Sequence, residues 1–367
     1  MGFSCGIVGL PNVGKSTLFN ALTRSSVPAS NYPFCTIDPN IGVVPVPDLR
    51  LTTLVRLVPT EKVVPTITQF VDIAGLVKGA SQGEGLGNQF LGHIAEVEAI
   101  VHLVRCFEDP EVIHVNGSVD PHRDIEIIKT ELALKDLGVV TASLGRLEKV
   151  AKTGDKKAAA AVPVLQQLAK ALDQGISART VLRSLPPEAQ EAVGSLNLVT
   201  AKPVLYVANV SEKELMAESP ALQTVRRISS DEGAPFISIC GAIEAQIAAL
   251  ESEQERAEYM EAIGLKEPGL NRLIRAGYDL LGLITFFTVG PKEDRAWTIR
   301  RGAPAVEAAG KIHSDIARGF IRAEVIGYDD FIAAGSEAAA KEKGKLRLEG
   351  KEYLVKDGDI MHFRFSV

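Results

Sequence analysis

One short segment near the start of the chain restricts the fold more than any other. Residues 9–16 read Gly-Leu-Pro-Asn-Val-Gly-Lys-Ser, which matches the pattern GxxxxGK[ST]. An apolar, strand-like segment precedes it, and a segment with helical spacing of apolar residues follows it. A strand, a glycine-rich turn and a helix in this order direct successive backbone N–H groups at an anion. The segment therefore predicts a phosphate-binding loop in a mostly parallel α/β sheet.

Several side chains in and around this loop are expected to serve a nucleotide. Lys15 should reach the β and γ phosphates, and the Ser16 hydroxyl should ligate Mg²⁺. Asp72 directly follows a predicted strand, where its carboxylate can hold Mg²⁺ through water. Gly75 should offer its backbone N–H to the γ phosphate. Thr36 lies in a loop from which its hydroxyl can complete the Mg²⁺ shell once a γ phosphate is present.

The residue after Gly75 is unusual for a nucleotide switch. Ras-like enzymes carry a glutamine there, which orients the attacking water. Here the residue is Leu76, and an apolar side chain cannot orient water. We therefore expect slow hydrolysis, or a water that another group positions.

A second loop indicates which base is bound. Asn209-Val-Ser-Glu follows a predicted strand at the place where GTPases carry NKxD. Val210 replaces the lysine and Glu212 replaces the aspartate, so the two-point grip on guanine is not assured. Ser238 follows the last strand of this region and is expected to line the other side of the base. These substitutions favour ATP over GTP.

Together these motifs closely resemble those of the YchF family of Obg-like ATPases, within the translation-factor class of P-loop proteins. The resemblance covers essentially the whole length. It includes the segments 11–17, 33–36, 72–80 and 85–89 and the NxxE loop. It implies a helical insertion, a C-terminal TGS domain, a preference for ATP, and slow hydrolysis linked to ribosomes (50S or 70S) and stress responses.

The resemblance also implies roles for individual residues. Val210 would contact the base, and Ser16 and Thr36 would bind Mg²⁺. His114 matches a family histidine proposed to assist catalysis from a mobile loop; the alternative is a satisfied surface histidine. Asn12 resembles the asparagine that helps to hold K⁺ in some relatives. The residues implied to bind the phosphates are Asn12, Val13, Gly14, Lys15, Ser16 and Thr17.

The pattern of apolar residues predicts the domain organisation. We expect a P-loop domain over residues 1–282, with a helical hairpin inserted at about 124–200, and a TGS-like α+β domain over 283–366. Leu137, Val140, Leu144 and Leu147 form a coiled-coil-like seam. A break at Gly154 separates it from a second helical pattern. The alternative is that these helices only cover a sheet.

The C-terminal domain carries two local predictions. Residues 352–355 and 361–365 are expected to pair as strands around a turn at 357–359. The basic stretch 341–351 is expected to be a loop. It is either a solvated surface or a contact for RNA phosphates.

Composition limits the classes of partner. The chain has 367 residues, a formal net charge of −6 and 46% hydrophobic residues. This profile is typical of a globular protein and argues against a surface that binds nucleic acid throughout, while leaving room for a local basic face. Apolar runs stay below the ~18 residues that a membrane span needs, and the four cysteines form no CxxC pair. We expect a cytoplasmic protein without a membrane or DNA partner.

The expected activity is Mg²⁺-dependent hydrolysis of ATP to ADP and phosphate. It would serve as a conformational switch that a ribosome or RNA reads. Two alternatives remain open at this point. One is a GTPase of the same fold, and the other is a nucleotide-gated ribosome- or RNA-binding adaptor whose hydrolysis is incidental.

Overall fold

The computed structural model describes residues 3–24, 40–73, 92–215 and 217–366. The chain divides into two units. The first consists of Met1–Val43 and Gln69–Leu273, and the second of Val44–Thr68 and Ile274–Val367. The second unit therefore contains a segment that comes from the N-terminal part of the sequence.

The first unit is built on a six-stranded sheet. Its strands are β1 Ser4–Val8, β2 Ile41–Pro45, β4 Ile67–Asp72, β5 Ala99–Arg105, β6 Val204–Asn209 and β7 Phe236–Ile239. Their order is β2-β4-β1-β5-β6-β7, and the pairings from β4 through β7 are all parallel. Every residue of the central strand β5 is buried, as expected for a strand that is covered on both faces. The predicted α/β class is confirmed.

Two long helices form the predicted helical insertion. Helix α3 spans Pro121–Ala151, and Asp120 caps its N-terminus by accepting from the Arg123 N–H. Gly154, with φ 93°, lies in the connection, and Asp155 caps α4, Lys156–Asp173. The two helices share a core that contains much of the predicted seam, including Val140, Leu165, Leu168 and Leu172, with Leu137, Leu144 and Leu147 packed against it.

A buried carboxylate ties the insertion to the segment before β6. Asp136 accepts from the backbone N–H groups of Val199 and Thr200, at 2.9 and 2.7 Å, and from the Thr200 hydroxyl at 2.6 Å. Burial raises the pKa of Asp136, while these hydrogen bonds act in the opposite direction. The intervening short helices are α5 Ala178–Arg183, α6 Pro187–Gly194 and the 3₁₀ turn Val199–Ala201.

Further helices of the chain follow the sheet strands in the α/β pattern. They include α1 Lys15–Arg24, α7 Glu212–Leu215, α8 Pro220–Asp231, α9 Gly241–Ala249, α10 Glu253–Ala262 and α11 Gly269–Leu280. Buried Glu244 accepts from the N–H groups of Gly269 and Leu270, and so satisfies the first donors of α11.

The second unit contains a mixed sheet. Its strands are β3 Val63–Val64, β8 Leu283–Thr288, β9 Asp294–Arg300, β10 Phe320–Gly327, β11 Arg347–Glu349 and β12 Asp359–Phe365, in the order β11-β10-β12-β8-β9-β3. The helices are α2 Leu49–Leu57, α12 Ala305–Ile312, α13 Ser314–Arg318, α14 Tyr328–Ala334 and α15 Glu337–Glu342. Helix α2, which comes from the N-terminal segment, packs Leu51 and Leu54 against Phe287, Ile326 and Phe331 of the C-terminal part.

Two local predictions for this unit are wrong. Residues 352–355 do not pair with β12; Leu354 forms an isolated bridge with Pro304. The Asp357 carboxylate accepts from the Thr285 N–H at 2.9 Å, so the turn is bound to β8 instead of closing a hairpin. Strand β12 consequently pairs with β8 in parallel and with β10 in antiparallel fashion. The stretch 341–351, expected to be a loop, contains the end of α15 and all of β11.

Candidate nucleotide site

A cavity of about 770 Å³ lies at the carboxyl ends of the parallel strands of the first unit. Four loops form its walls, and they follow β1, β5, β6 and β7. Ligands of open α/β sheets bind at this edge because the loops converge there. The lining residues are Leu10, Pro11, Asn12, Gly14, Lys15, Ser16, Thr17, Phe107, Glu108, Asp109, Val112, Asn209, Val210, Ser211, Glu212, Cys240, Gly241 and Ala242.

The first wall is the phosphate loop between β1 and α1. Asn12 and Gly14 have φ values of 63° and 91°, so the backbone turns left-handed twice within three residues. A Cβ atom at position 14 would collide with the amide of Asn209, which adds a steric reason for glycine. This curled backbone is suited to direct N–H groups at phosphate oxygens. Of the six predicted phosphate-binding residues, Asn12, Gly14, Lys15, Ser16 and Thr17 line the cavity and Val13 is buried behind it.

Lys15 and Asp72 form an ion pair at the phosphate end of the cavity. The side chains are 11% and 19% exposed, respectively. The carboxylate thereby neutralises the ammonium group that would otherwise face phosphate oxygens. Ser16 lies next to Lys15 on the cavity wall.

The donor set at this end fits a magnesium ion. The Ser16 hydroxyl and the Asp72 carboxylate are hard oxygen donors, the type that Mg²⁺ prefers. At nucleotide sites, phosphates and water complete the coordination shell of Mg²⁺. Within the described ranges, no group of three or more His, Cys, Asp or Glu side chains is arranged to hold a metal. Two further predicted residues, Thr36 and Gly75, lie outside the described residues, as does Leu76.

The base-side loop is tied to the phosphate loop through Asn209. Its side-chain Nδ2 donates to the Val13 carbonyl at 2.8 Å, and its Oδ1 accepts from the Gly241 N–H at 2.9 Å. Asn209 is 5% exposed. Both ends of the amide are therefore used to hold three loops together, which makes Asn209 a positioning residue for the cavity.

The other predicted base-side residues are divided between the cavity and its surroundings. Val210 is 2% exposed and lines the cavity, and Glu212 lines it from an exposed position at the start of α7. Ser238 is not among the lining residues, and its carbonyl accepts from Arg272 at 2.9 Å. Cys240, Gly241 and Ala242 line the cavity after β7 instead.

The wall that follows β5 was missed by the sequence motifs. Phe107, Glu108, Asp109 and Val112 all line the cavity. A positional signal did exist, because a segment after a central parallel strand is expected at the ligand-binding edge. The missing information was a motif that distinguishes this segment from an ordinary strand-to-helix connection.

His114 lies just beyond this wall but does not line the cavity. It is 7% exposed, and its Nε2 is 2.8 Å from Asp124 Oδ2, while its Nδ1 accepts from the Asn116 N–H at 3.1 Å. Its apolar neighbours Ile113 and Val115 are 78% and 45% exposed. The polarity of this loop is thus inverted, with the histidine inside and the aliphatic side chains outside.

The loop of His114 is also attached to the phosphate loop. The Asn12 Nδ2 donates to the Ile113 carbonyl at 2.9 Å. The Asn12 Oδ1 is therefore the amide atom that remains suited to a cation.

Comparisons with known proteins identify the family of this chain. A family described as "50S ribosome-binding GTPase" matches residues 4–141, and the C-terminal YchF-GTPase family, described as "Protein of unknown function (DUF933)", matches residues 283–366. Proteins named "Ribosome-binding ATPase YchF" from Haemophilus ducreyi and Bacillus subtilis are 55% and 52% identical, with both chains covered completely. The chain belongs to the YchF family.

Structural comparison supports this membership. A solved structure from Schizosaccharomyces pombe, described as a YchF GTPase, has a TM-score of 0.87 at 37% identity, covering 99% of this chain and 98% of that one. A GTP-binding protein from Pyrococcus horikoshii has a TM-score of 0.62 at 20% identity and shares the fold. The names given to YchF relatives therefore differ in the nucleotide. Among the described residues, none of the helices is long and apolar enough to cross a membrane.

Proposed function

We propose that this chain is an ATP-hydrolysing switch whose nucleotide state controls its association with the ribosome. The observation that carries the proposal is the cavity that joins an intact phosphate loop to a base loop without the guanine-specific lysine and aspartate. The names of the relatives with more than half of their residues identical point to the same activity and partner.

The preference for ATP follows from the donors of the base. Guanine presents two hydrogen-bond donors, N1–H and the 2-amino group. A site without a fixed carboxylate leaves both donors unpaired, and each unpaired donor costs about 1–3 kcal/mol of binding free energy. Glu212 is exposed, and its extra methylene lets it turn away from adenine N1, an acceptor. Because the Asn209 amide is used within the protein, we expect the adenine 6-amino group to donate to main-chain carbonyls of the cavity wall.

Hydrolysis requires positioning of the γ phosphate and of a water molecule. The phosphate-loop N–H groups and Lys15 hold the phosphates, and Lys15 exchanges its partner Asp72 for phosphate oxygens. Ser16 would hold Mg²⁺ directly and Asp72 would hold it through water, and the ion would neutralise the developing phosphate charge. Because Leu76 cannot orient water, we propose that His114 does so after leaving Asp124.

The proposal extends to a monovalent cation, the domain organisation, the partner and the compartment. K⁺ would take the Asn12 Oδ1. Residues 283–366 are proposed as a TGS domain following a nucleotide-binding part over 1–282, with the ribosome or its RNA as partner and the cytoplasm as compartment. Comparison of turnover in KCl and NaCl at equal ionic strength tests the K⁺ site, with faster turnover expected in KCl.

The identity of the nucleotide is tested by competition. Fluorescent ATP is bound to the full chain, and unlabelled ATP, GTP, ADP and GDP are titrated against it. We expect ATP to compete at least about tenfold better than GTP, because bound GTP would leave two guanine donors unpaired. A preference for GTP would establish the alternative, a GTPase of the same fold, which the name of the S. pombe protein favours.

The switch is tested by cosedimentation with ribosomes in ADP, in ATP and in a non-hydrolysable ATP analogue. We expect the bound fraction to differ between the ADP and analogue states. Equal binding in all states, including without nucleotide, would contradict a nucleotide switch. Release from ribosomes that is as fast in a variant unable to hydrolyse ATP as in wild type would favour the adaptor, for which hydrolysis is incidental.

A further inference from the structure

Arg105, the last residue of β5, is the largest of the fully buried side chains among the described residues. Its guanidinium donates from all three nitrogen atoms to main-chain carbonyls. Nε reaches Phe107 at 3.1 Å, Nη1 reaches Asn12 at 3.3 Å, and Nη2 reaches Val112 at 2.9 Å. The guanidinium also stacks on the Phe107 ring, with its central carbon 4.5 Å from the ring centroid. Asn12, Phe107 and Val112 all line the nucleotide cavity.

Within residues 3–24, 40–73, 92–215 and 217–366, the buried charge of Arg105 has no acidic partner. Among the described residues, no carboxylate oxygen lies within 4.0 Å of its nitrogen atoms. By contrast, the largely buried guanidinium of Arg179 pairs with Glu232 at 3.1 Å. Carbonyl dipoles satisfy the donors of Arg105 but do not neutralise it, and an arginine cannot lose its proton in a protein.

The acidic side chains of the segment after β5 do not come close enough to Arg105 to form an ion pair with it. Glu108 is exposed, and the Asp109 carboxylate accepts from the Glu111 N–H at 2.9 Å. The remaining direction is the cavity itself, because the guanidinium donates to the carbonyl of Asn12, a residue of the phosphate loop. A nucleoside triphosphate bound there brings several negative charges close to Arg105.

We propose that the polyphosphate of the bound nucleotide neutralises Arg105, and that Arg105 is a positioning residue that joins the phosphate loop to the Phe107–Val112 wall. The proposal rests on the proposed nucleotide function. Arg105 does not touch the phosphates through its hydrogen bonds, all of which go to carbonyls. Its charge acts through one peptide group, in a poorly polarisable interior where charges interact more strongly than in water.

The effect of the Arg105 charge is separated from the effect of its hydrogen bonds by comparing ligands with different numbers of phosphate groups. Affinities of adenosine, AMP, ADP and ATP are measured on the full chain by competition against fluorescent ATP. In Arg105→Met, which keeps much of the stem but no charge, we expect ATP to lose affinity by about tenfold or more relative to adenosine. In Arg105→Lys, which keeps the charge but not three directed donors, we expect the ratio of ATP to adenosine affinity to stay within about threefold of wild type.

Lys202 provides a matched control. It is another buried cation of the first unit, and its Nζ donates to the carbonyls of Ala95 and Val97, away from the cavity. Lys202→Met should leave the ATP-to-adenosine ratio unchanged. This variant therefore separates a charge effect on phosphates from a general effect of removing a buried cation.

The outcomes are distinguishable from one another. An unchanged ratio in folded Arg105→Met, or a ratio that falls equally in Arg105→Lys, would overturn the proposal. If Arg105→Met does not fold, the Arg105→Lys ratio decides: a preserved ratio supports the charge role and a lost ratio contradicts it. Wild-type protein that binds ATP no better than adenosine would instead show that the proposed nucleotide function is wrong.

Discussion

The imidazole of His114 and the carboxylate of Asp124 are joined by a hydrogen bond of 2.8 Å between Nε2 and Oδ2. Because Nδ1 accepts from the Asn116 N–H, the proton of the neutral ring lies on Nε2, and the histidine is the donor to Asp124. Asp124 also accepts from the guanidinium of Arg123 at 3.2 Å. Both ring nitrogens are occupied, so in this arrangement His114 cannot orient a water molecule.

Weakening this pair should therefore accelerate hydrolysis. Asp124→Asn keeps the shape but replaces a charge-assisted hydrogen bond with a neutral one, which is weaker by roughly 1 kcal/mol. We expect ATP turnover to rise by about threefold to tenfold, because a larger fraction of His114 is released. Single-turnover hydrolysis measured without ribosomes checks this.

Two variants make this prediction specific. Asp120→Asn changes the neighbouring carboxylate that caps the same helix, and it should leave turnover near wild type. In a His114→Ala background, Asp124→Asn should have no effect on turnover, while ATP affinity stays unchanged because His114 does not line the cavity. A slower Asp124→Asn enzyme would mean that the pair supports catalysis instead of restraining it.

The ion pair of Lys15 and Asp72 predicts the effect of removing the phosphate-loop lysine. Lys15→Ala removes the ammonium group that would leave Asp72 to donate charge-assisted hydrogen bonds to phosphate. Each such hydrogen bond contributes about 1.5–3 kcal/mol to binding. We expect ATP affinity to fall by about a hundredfold, with far-ultraviolet circular dichroism unchanged. Thr17→Ser, which keeps a hydroxyl on the same wall, serves as the control. Unchanged ATP affinity by calorimetry would remove Lys15 from the site.

The base loop predicts a change of nucleotide preference. Val210 is nearly inaccessible but lines the cavity, so a lysine there would lay its stem along the base as in NKxD loops. Combining Val210→Lys with Glu212→Asp should move the ratio of ATP to GTP affinity toward GTP by about tenfold or more. Partial conversion is expected, because Cys240 and Ala242 also shape the pocket. A ratio that does not move would mean that another wall selects the base.

Buried His102 predicts sensitivity to acid. It is 4% exposed on β5, and burial lowers its pKa to about 4, from an ordinary 6.5. The unfolded chain therefore binds a proton between these two pH values that the folded chain does not bind. The contribution of neutral His102 to the free energy of unfolding is fully present above pH 6.5 and decreases as the pH falls toward 4. At pH 5 this decrease amounts to roughly 2 kcal/mol.

The measurement is urea unfolding at pH 7.5 and pH 5. His102→Leu should show a smaller loss of unfolding free energy on acidification than wild type. His93→Gln, at an exposed position, should lose as much as wild type. Equal losses in wild type and His102→Leu would show that other groups account for the acid sensitivity.

Sequence reasoning succeeded where the determining interactions are local. The strand, turn and helix around Lys15 lie within one short segment, and the heptad spacing of the insertion is a local pattern as well. It failed where a distant partner decides the outcome. The Asp357 turn is bound by Thr285, and strand β10 depends on pairing with both β11 and β12.

The site shows the same division. The positions of Lys15, Ser16 and Val210 on the cavity wall could be predicted because motifs mark them. Phe107 and Arg105 could not, since their roles depend on loops brought together by the sheet. Ser238 precedes the lining residues by two positions, because β7 ends one residue before Cys240. Without a structure, that offset cannot be read from the pattern.

The passage of Val44–Thr68 into the second unit sets an order of events during synthesis. Helix α2 and strand β3 leave the ribosome early, but their partners β8 and β9 follow only after all of Gln69–Leu273 has been made. At about 5–20 residues per second this delay is roughly ten to forty seconds. Throughout that interval Leu51 and Leu54 have no native core to enter. A nascent chain arrested before β8 should therefore be a better substrate for chaperones than the finished protein, with α2 as the segment they hold.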